Sequence, residues 1–263
     1  MSNLKKQTIN GLIWSSIERF SVQGVQFVLG IILARILFPS DYGLIGMVAI
    51  FMSISQSLID SGFSQALIQK KNTTEKDYNT VFYFNILTAI LVYGILFFLA
   101  KPIAVFYEEP ILENLTKIIG LNIIFSSFSI VQIAKLSKSL NFKLQTKASL
   151  VSTIIGGGIG IYLAYIDWGV WALVTQVLLK SGINTLLLFI FTHWKPKLIF
   201  SKKSFNSLFS FGSKLLFSGL LNSVFNNITL LYNPISSVFT ATKESIYISL
   251  LLVIFFRIIL KIP

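Results

Sequence analysis

The sequence predicts an all-α, polytopic membrane helix bundle, on three observations. Only 12% of the 263 residues are charged and 54% are hydrophobic, against roughly 25% and 45–50% in soluble domains. The apolar residues come in blocks of about 20, the length that crosses a hydrocarbon core of ~30 Å. The connections between blocks alternate between strongly basic and mixed or acidic, as the loops of a multi-pass membrane protein do.

Span one is expected over Leu12–Leu37. Lys5 and Lys6 ahead of it imitate a signal peptide. The stretch is too long for one and contains Glu18 and Arg19, and no small-residue cleavage site precedes the next span. It is therefore a retained helix. A turn at Phe38-Pro39-Ser40-Asp41-Tyr42-Gly43 leads into span two, Leu44–Gln69, which carries Asp60-Ser61-Gly62 near its end. Span three, Val81–Ala100, is ended by Lys101-Pro102, and span four covers Leu115–Ala134. The next connection, Lys135–Lys147, is either an ordinary basic loop or an amphipathic surface helix with Leu136, Leu140 and Leu144 on one face. Span five, Leu150–Ile166, holds Gly156-Gly157-Gly158 and a Gly156-x-x-x-Gly160 spacing, which allows close helix packing. A phosphate-cradling loop would need a preceding strand and a soluble setting. The turn Asp167-Trp168-Gly169 opens span six, Val170–Thr192, and span seven runs over Phe205–Leu231. A last apolar stretch, Ile246–Leu260, is short and follows Asn233-Pro234. Glycine and proline punctuate these ends because they break regular structure.

The loop charges predict the orientation. Lys5 and Lys6; Lys70, Lys71 and Lys76; Lys135, Lys138, Lys143 and Lys147; and Lys195, Lys197, Lys202 and Lys203 fall on the N-terminus and every second loop after it. The intervening connections hold Arg35 and Asp41, then Lys101, Glu108, Glu109, Glu113 and Lys117, then Asp167. The positive-inside rule places the basic segments and the N-terminus in the cytoplasm of an inner-membrane protein. Trp14, Trp168, Trp171 and Trp194 lie near span ends, where interfacial anchors are expected.

Composition excludes several function classes. The net charge of +12 would suggest nucleic acid in a soluble protein, but here it sits in loops between spans, so no nucleic-acid partner is expected. With no cysteine and one histidine, His193, the chain has neither a disulfide framework nor a zinc ligand set, and no metal or cofactor is expected. No paired-carboxylate site or Ser/His/Asp set suggests an enzyme. Glu108-Glu109 reads as a solvated pair.

Ionisable residues within spans are the informative ones, because a charge at membrane depth costs at least ~2.5–3.5 kcal/mol and usually faces a partner or a wet cavity. The candidates are Glu18, Arg19, Asp60, Lys180 and Lys214, with Arg35 at the far end of span one. Glu18 and Arg19 either sit at the inner interface or face a cavity, and Lys214 either snorkels or lines it. Lys180 is nearest mid-membrane, where a cavity-facing role is expected. Asp60 either breaks span two or lines the cavity, and Arg35 with Asp41 either closes the first turn or serves the ligand. A cationic set of this kind suits an anionic ligand such as a lipid diphosphate. Gln23, Gln26, Asn85, Asn122, Gln132, Gln176 and Asn184 are further candidate lining residues, or else interhelical hydrogen-bond formers.

Trp14–Ser21 can be laid on Phe211–Ser218, with Ser16/Ser213, Phe20/Phe217 and Ser21/Ser218 matching, which suggests a repeated half as in secondary transporters. The turn at Leu37–Gly43 does not recur after span seven, and the tail from about Thr229 is rich in Ile, Leu, Phe, Ser and Tyr. A truncated or frameshifted product is the expectation from that contrast.

LARILFPSDYGLIGMVAIF at Leu33–Phe51, DSGFSQALIQKKN at Asp60–Asn72, Asn141–Lys147 and GVWALVTQ at Gly169–Gln176 together resemble bacterial polysaccharide biosynthesis proteins. These are the O-antigen and exopolysaccharide flippases of the multidrug/oligosaccharidyl-lipid/polysaccharide exporter superfamily. The resemblance implies two similar helical bundles around a central cavity and alternating-access transport of undecaprenyl-diphosphate-linked sugar units between leaflets. By position, it implies diphosphate and glycan contacts for Arg19, Lys180 and Lys214. Its expected partners are the lipid-linked oligosaccharide, membrane lipids, and a glycan polymerase or second transporter half. On this reading residues 1–204 form a six-helix bundle, 205–232 begin a second bundle, and 233–263 are an atypical tail. Two alternatives compete: a drug/cation antiporter, for which Asp60 is the only deep acid, and a non-transporting scaffold subunit of a glycan-synthesis complex.

Overall fold

The computed structural model describes the backbone of residues 2–60 and 62–236, with side chains at 14, 20–59, 62–210, 212–219 and 221. The predicted stretch Ile246–Leu260, and the tail from 237 onward, lie outside the described residues. Two compact units divide the chain, Met1–Leu220 and Leu221–Pro263. The described residues of the second, 221–236, are helical.

Among the described residues eight helices follow in order: α1 (Ser2–Ile36), α2 (Pro39–Asp60), α3 (Phe63–Gln69), α4 (Glu75–Phe106), α5 (Ile111–Lys138), α6 (Phe142–Tyr165), α7 (Val170–Thr192) and α8 (Lys202–Ser236). No strand occurs among the described residues. Among the described residues five stretches are long and apolar enough to cross a membrane: Pro39–Gln69, Glu75–Phe106, Ile111–Lys138, Phe142–Tyr165 and Val170–Thr192, with a shorter apolar stretch at Phe20–Ile36. The protein is an all-α, multi-pass membrane helix bundle.

Local chemistry explains the ends. The first turn is tighter than expected. Pro39 already opens α2, its missing N–H costing nothing at a first helical position, and Asp41 Oδ2 accepts the Phe38 N–H at 3.1 Å. This carboxylate is a helix cap. The expected Arg35–Asp41 ion pair is not found among the described residues. Thr74 and Asp77 form a capping box that starts α4: Asp77 Oδ2 accepts the Thr74 N–H at 2.9 Å, and Thr74 Oγ1 accepts the Asp77 N–H at 3.4 Å. Pro102 does not end this helix, which continues to Phe106. Besides α7, which closes on His193 (φ 49°), three helices close on a left-handed residue that is not glycine, namely Glu108 (φ 57°), Leu140 (φ 55°) and Asp167 (φ 58°). In each case the next N–H reaches back five residues: Glu109 to Ala104, Asn141 to Leu136, and Trp168 to Leu163. This is the Schellman closure, which satisfies carbonyls a helix end leaves open. The closure at Leu140 leaves no room for a separate amphipathic helix between α5 and α6.

Span two is broken. α2 stops at Asp60 and α3 starts at Phe63, with Gly62 between them at φ 68°. A Cβ there would lie 2.5 Å from the Gly212 carbonyl oxygen of α8 and 2.6 Å from Leu215 Cβ. Glycine is required twice over, by conformation and by contact.

The packing follows small residues. On α6, Ala148, Ser152, Gly156, Gly160 and Ala164 recur every fourth residue and all are buried, which puts them in one ridge. That ridge meets α7. A Cβ on Gly156 would lie 2.9 Å from the Lys180 backbone nitrogen and 3.0 Å from the Gln176 backbone oxygen, and one on Gly160 would lie 2.9 Å from Gln176 Cβ. The expected Gly156-x-x-x-Gly160 contact is therefore present, between α6 and α7. Gly157, on the neighbouring face, lies against Leu29 of α1. Thus α6 is held between α1 and α7, against the Leu29 side chain on one side and the α7 backbone on the other. α5 touches α2, α3, α4, α6 and α7.

The two ends of the bundle differ chemically. The turns after α1, α4 and α6 meet at one end. Asp41 Oδ1 lies 3.2 Å from the Cβ position of Gly169, and Val48, Ala104, Leu112, Leu115, Val170 and Val174 share a cluster there. The connections after α3, α5 and α7 meet at the other, where Phe63, Leu67, Tyr78, Phe82, Val131, Trp194 and Leu208 form a second cluster. The lysine-rich loops thus gather at one end, called the basic end below.

Candidate functional site

Lys180 sits mid-way along α7, with its backbone and Cβ against Gly156. Gln176 and Asn184 stand four residues either side, so the three form one polar stripe. The small α6 ridge lets this stripe approach a neighbouring helix without bulky apolar cover. Lys180 is half-buried and has no ion pair among the described residues. Within the same set, the amide of Asn85, Thr116 Oγ1, Asn122 Oδ1 and Asn184 Oδ1 are buried without a hydrogen-bond partner. Such groups are costly in an apolar interior, and each has hydrogen-bonding capacity that water or a polar ligand could take up. Thr185 Oγ1, next to Asn184, donates to the Phe125 carbonyl at 3.0 Å and ties α7 to α5.

The other expected site residues are dispersed. Arg35 is exposed on the last turn of α1, at the end opposite the basic loops. Lys214 is exposed on α8. It lies between Gly212 and Leu215, the residues that meet Gly62, so the α2–α3 break that follows Asp60 and the Lys214 segment share one neighbourhood. The side chains of Glu18, Arg19 and Asp60 lie outside the described residues. Among the candidate lining residues, Gln23 is exposed, whereas Asn85 and Gln132 are fully buried.

Sequence reasoning missed a polar clasp at the basic end. Glu75 accepts from Trp194 Nε1 at 2.8 Å and pairs with Lys135 at 3.2 Å. The Lys135 ammonium also lies 4.7 Å from the Tyr78 ring and 5.2 Å from the Trp194 ring. Asp77 pairs with Lys70 at 2.8 Å. Lys138 donates to Thr73 Oγ1 at 2.9 Å and to the Leu67 and Lys70 carbonyls, capping α3. The α7–α8 linker is held on α4 by Lys197 N–H to Asn79 Oδ1 (2.6 Å) and Ser201 N–H to Thr80 Oγ1 (3.0 Å). Lys70, Lys135 and Lys138, read from the sequence only as loop charges that set orientation, are therefore structural as well, and Trp194, 6% exposed, is a buried donor and not an interfacial anchor. The Thr74-x-x-Asp77 spacing was the readable signal for a helix start here; the partners brought in from residues 135–201 left none.

Comparison with known proteins adds a second line of information. A family model described as "Polysaccharide biosynthesis protein" matches residues 32–249. The chain is 28% identical over 233 residues to the teichuronic acid biosynthesis protein TuaB of Bacillus subtilis (strain 168), covering 88% of this chain and 48% of that protein. It is 26% identical over 201 residues to the succinoglycan biosynthesis transport protein ExoT of Rhizobium meliloti (strain 1021), covering 76% and 41%. It is 25% identical over 239 residues to the lipopolysaccharide biosynthesis protein WzxC of Escherichia coli (strain K12), covering 87% and 47%. The chain spans about half the length of these curated relatives. No solved structure gives a significant match.

Proposed function

The chain belongs to the polysaccharide biosynthesis protein family, and on that premise we propose that it supplies one wall of a flippase. The substrate of that flippase is a lipid-diphosphate-linked oligosaccharide, carried across the cytoplasmic membrane for surface polysaccharide synthesis. The observation that carries this reading is Lys180: a mid-helix cation, flanked by Gln176 and Asn184, with no acidic partner among the described residues. An ammonium kept in such a place is strongly favoured by an anionic ligand, and a diphosphate offers several acceptor oxygens. Arg19, Lys214 and Arg35 would contribute further positive charge along the path, and Asp60 would act at the α2–α3 break. The basic end faces the cytoplasm on this reading, with the N-terminus on the same side. The ligand's sugars would meet amide side chains such as Asn122 and Asn184, which have hydrogen-bonding capacity to spare.

The test is genetic and chemical. Deleting the gene should make lipid-linked repeat units accumulate in the inner leaflet. The whole transporter should reverse this, and its Lys180→Ala variant should not, at equal membrane abundance. Normal surface polysaccharide in the Lys180→Ala strain would sink the role given to this residue. A deletion strain with normal polysaccharide but raised drug sensitivity would favour the antiporter.

A further inference from the structure

The connection between α7 and α8, residues 193–201, is irregular backbone. It carries Lys195-Pro196-Lys197-Leu198-Ile199-Phe200-Ser201-Lys202-Lys203. The linker is nevertheless fixed, because Trp194 Nε1, Lys197 N–H and Ser201 N–H are bound to Glu75, Asn79 and Thr80. Ile199 N–H donates to the Lys197 carbonyl at 2.7 Å, closing a three-residue turn centred on Leu198. With its inward groups bound to α4, the linker turns its apolar side chains out. Leu198 is 92% exposed, Phe200 59% and Ile199 36%.

Two constraints locate this patch. Irregular, lipid-exposed backbone is not tolerated in the hydrocarbon region, where its polar groups lack partners. Leucine and phenylalanine side chains held in water forfeit a burial gain of about 1.5–3 kcal/mol each. The headgroup–acyl boundary satisfies both, with apolar side chains entering the acyl edge and lysines reaching the headgroups.

The charge balance identifies the headgroup. Lys195, Lys197, Lys202 and Lys203 are exposed and form no ion pair among the described residues. The two acids of the clasp beneath them are engaged, Glu75 by Trp194 and Lys135, and Asp77 by Lys70 and the Thr74 cap. Exposed Lys76 adds a further cation from the first turn of α4. We propose that the α7–α8 linker is a membrane-surface anchor. Leu198 and Phe200 insert into the leaflet at the basic end, and Lys195, Lys197, Lys202 and Lys203 bind the phosphates of its anionic phospholipids. The occupant is bilayer lipid, and the anchor needs neither the transport reading nor its substrate.

The chain has no cysteine, so a Leu198→Cys variant carries a single environment-sensitive label. The full chain is placed in nanodiscs of phosphatidylcholine, with or without phosphatidylglycerol. The label should be quenched by shallow nitroxide lipids, more strongly when phosphatidylglycerol is present. Phosphatidylglycerol retained on the purified protein, counted by native mass spectrometry, should fall at least about tenfold when the four lysines are changed to glutamine. It should survive their change to arginine. A label reached equally by aqueous iodide in both nanodiscs would overturn the anchor, as would unchanged retention in the glutamine variant. So would loss in the arginine variant, because arginine holds phosphate at least as well as lysine.

Discussion

Gly156 and Gly158 stand two residues apart in α6 and should respond oppositely to substitution. A Cβ at Gly156 would press on the backbone of Lys180 and Gln176, whereas one at Gly158 meets nothing within 4 Å. Gly156→Val is expected to cost about 1–3 kcal/mol by forcing α6 from α7, and Gly158→Ala to stay within about 0.5 kcal/mol of the parent. Thermal unfolding in detergent, followed by tryptophan fluorescence, separates the two. Leu140 is the converse case. It holds a left-handed conformation at φ 55°, a strain of roughly 1 kcal/mol for a residue with a Cβ. Leu140→Gly should raise the unfolding temperature, and a lowered one would show that the leucine side chain matters more than its backbone. The sequence carried the glycine spacing but not the strained leucine. A short motif advertises close approach, whereas nothing in the composition of a lysine-rich loop announces which residue takes positive φ.

At the level of helices and their connections, the basic-end clasp is the feature to test. Asn79 is fully buried, accepting from the Lys197 N–H at 2.6 Å and donating to the Glu75 carbonyl at 2.7 Å. Asn79→Leu removes the acceptor and should cost about 1–3 kcal/mol by leaving that N–H unpaired. It should also quicken tryptic cutting after Lys197 and Lys202, because the linker loses one of its ties to α4. An unchanged digestion rate would mean that Trp194 and Ser201 suffice to hold it. Helix existence was legible from the length of the apolar blocks and the loop charges between them, while several ends moved. α2 begins at Pro39 rather than Leu44, α4 runs through Pro102, and α5 runs to Lys138. Hydropathy marks the membrane-embedded part of a helix, and capping chemistry decides where the helix stops, so the two differ by a turn or more.

Over the bundle as a whole, the alternation of loop charge has a geometric counterpart. The basic loops meet at one end, and the turns bearing Asp41, Glu108, Glu109 and Asp167 meet at the other. With no native cysteine, single cysteines at Lys71 and Lys203 should be labelled from the cytoplasm only, and cysteines at Glu109 and Asp167 from outside only. Labelling of Lys203 and Glu109 from the same side would refute the topology. That the chain is an apolar, multi-pass helical bundle of this family was already written in its blocks of about 20 apolar residues, its loop lysines and its quoted motifs. Such properties are local or compositional, and need no contact between distant residues. Contact decided the rest. Lys180 gained its setting from a small-residue ridge on another helix. Asp41 became a cap instead of a partner for Arg35. Lys70, Lys135 and Lys138 were drawn into protein contacts, and Lys195, Lys197, Lys202 and Lys203 were left without an ion pair among the described residues. In a linear reading every loop lysine is alike, because the acids that neutralise some of them are brought alongside only when the helices pack.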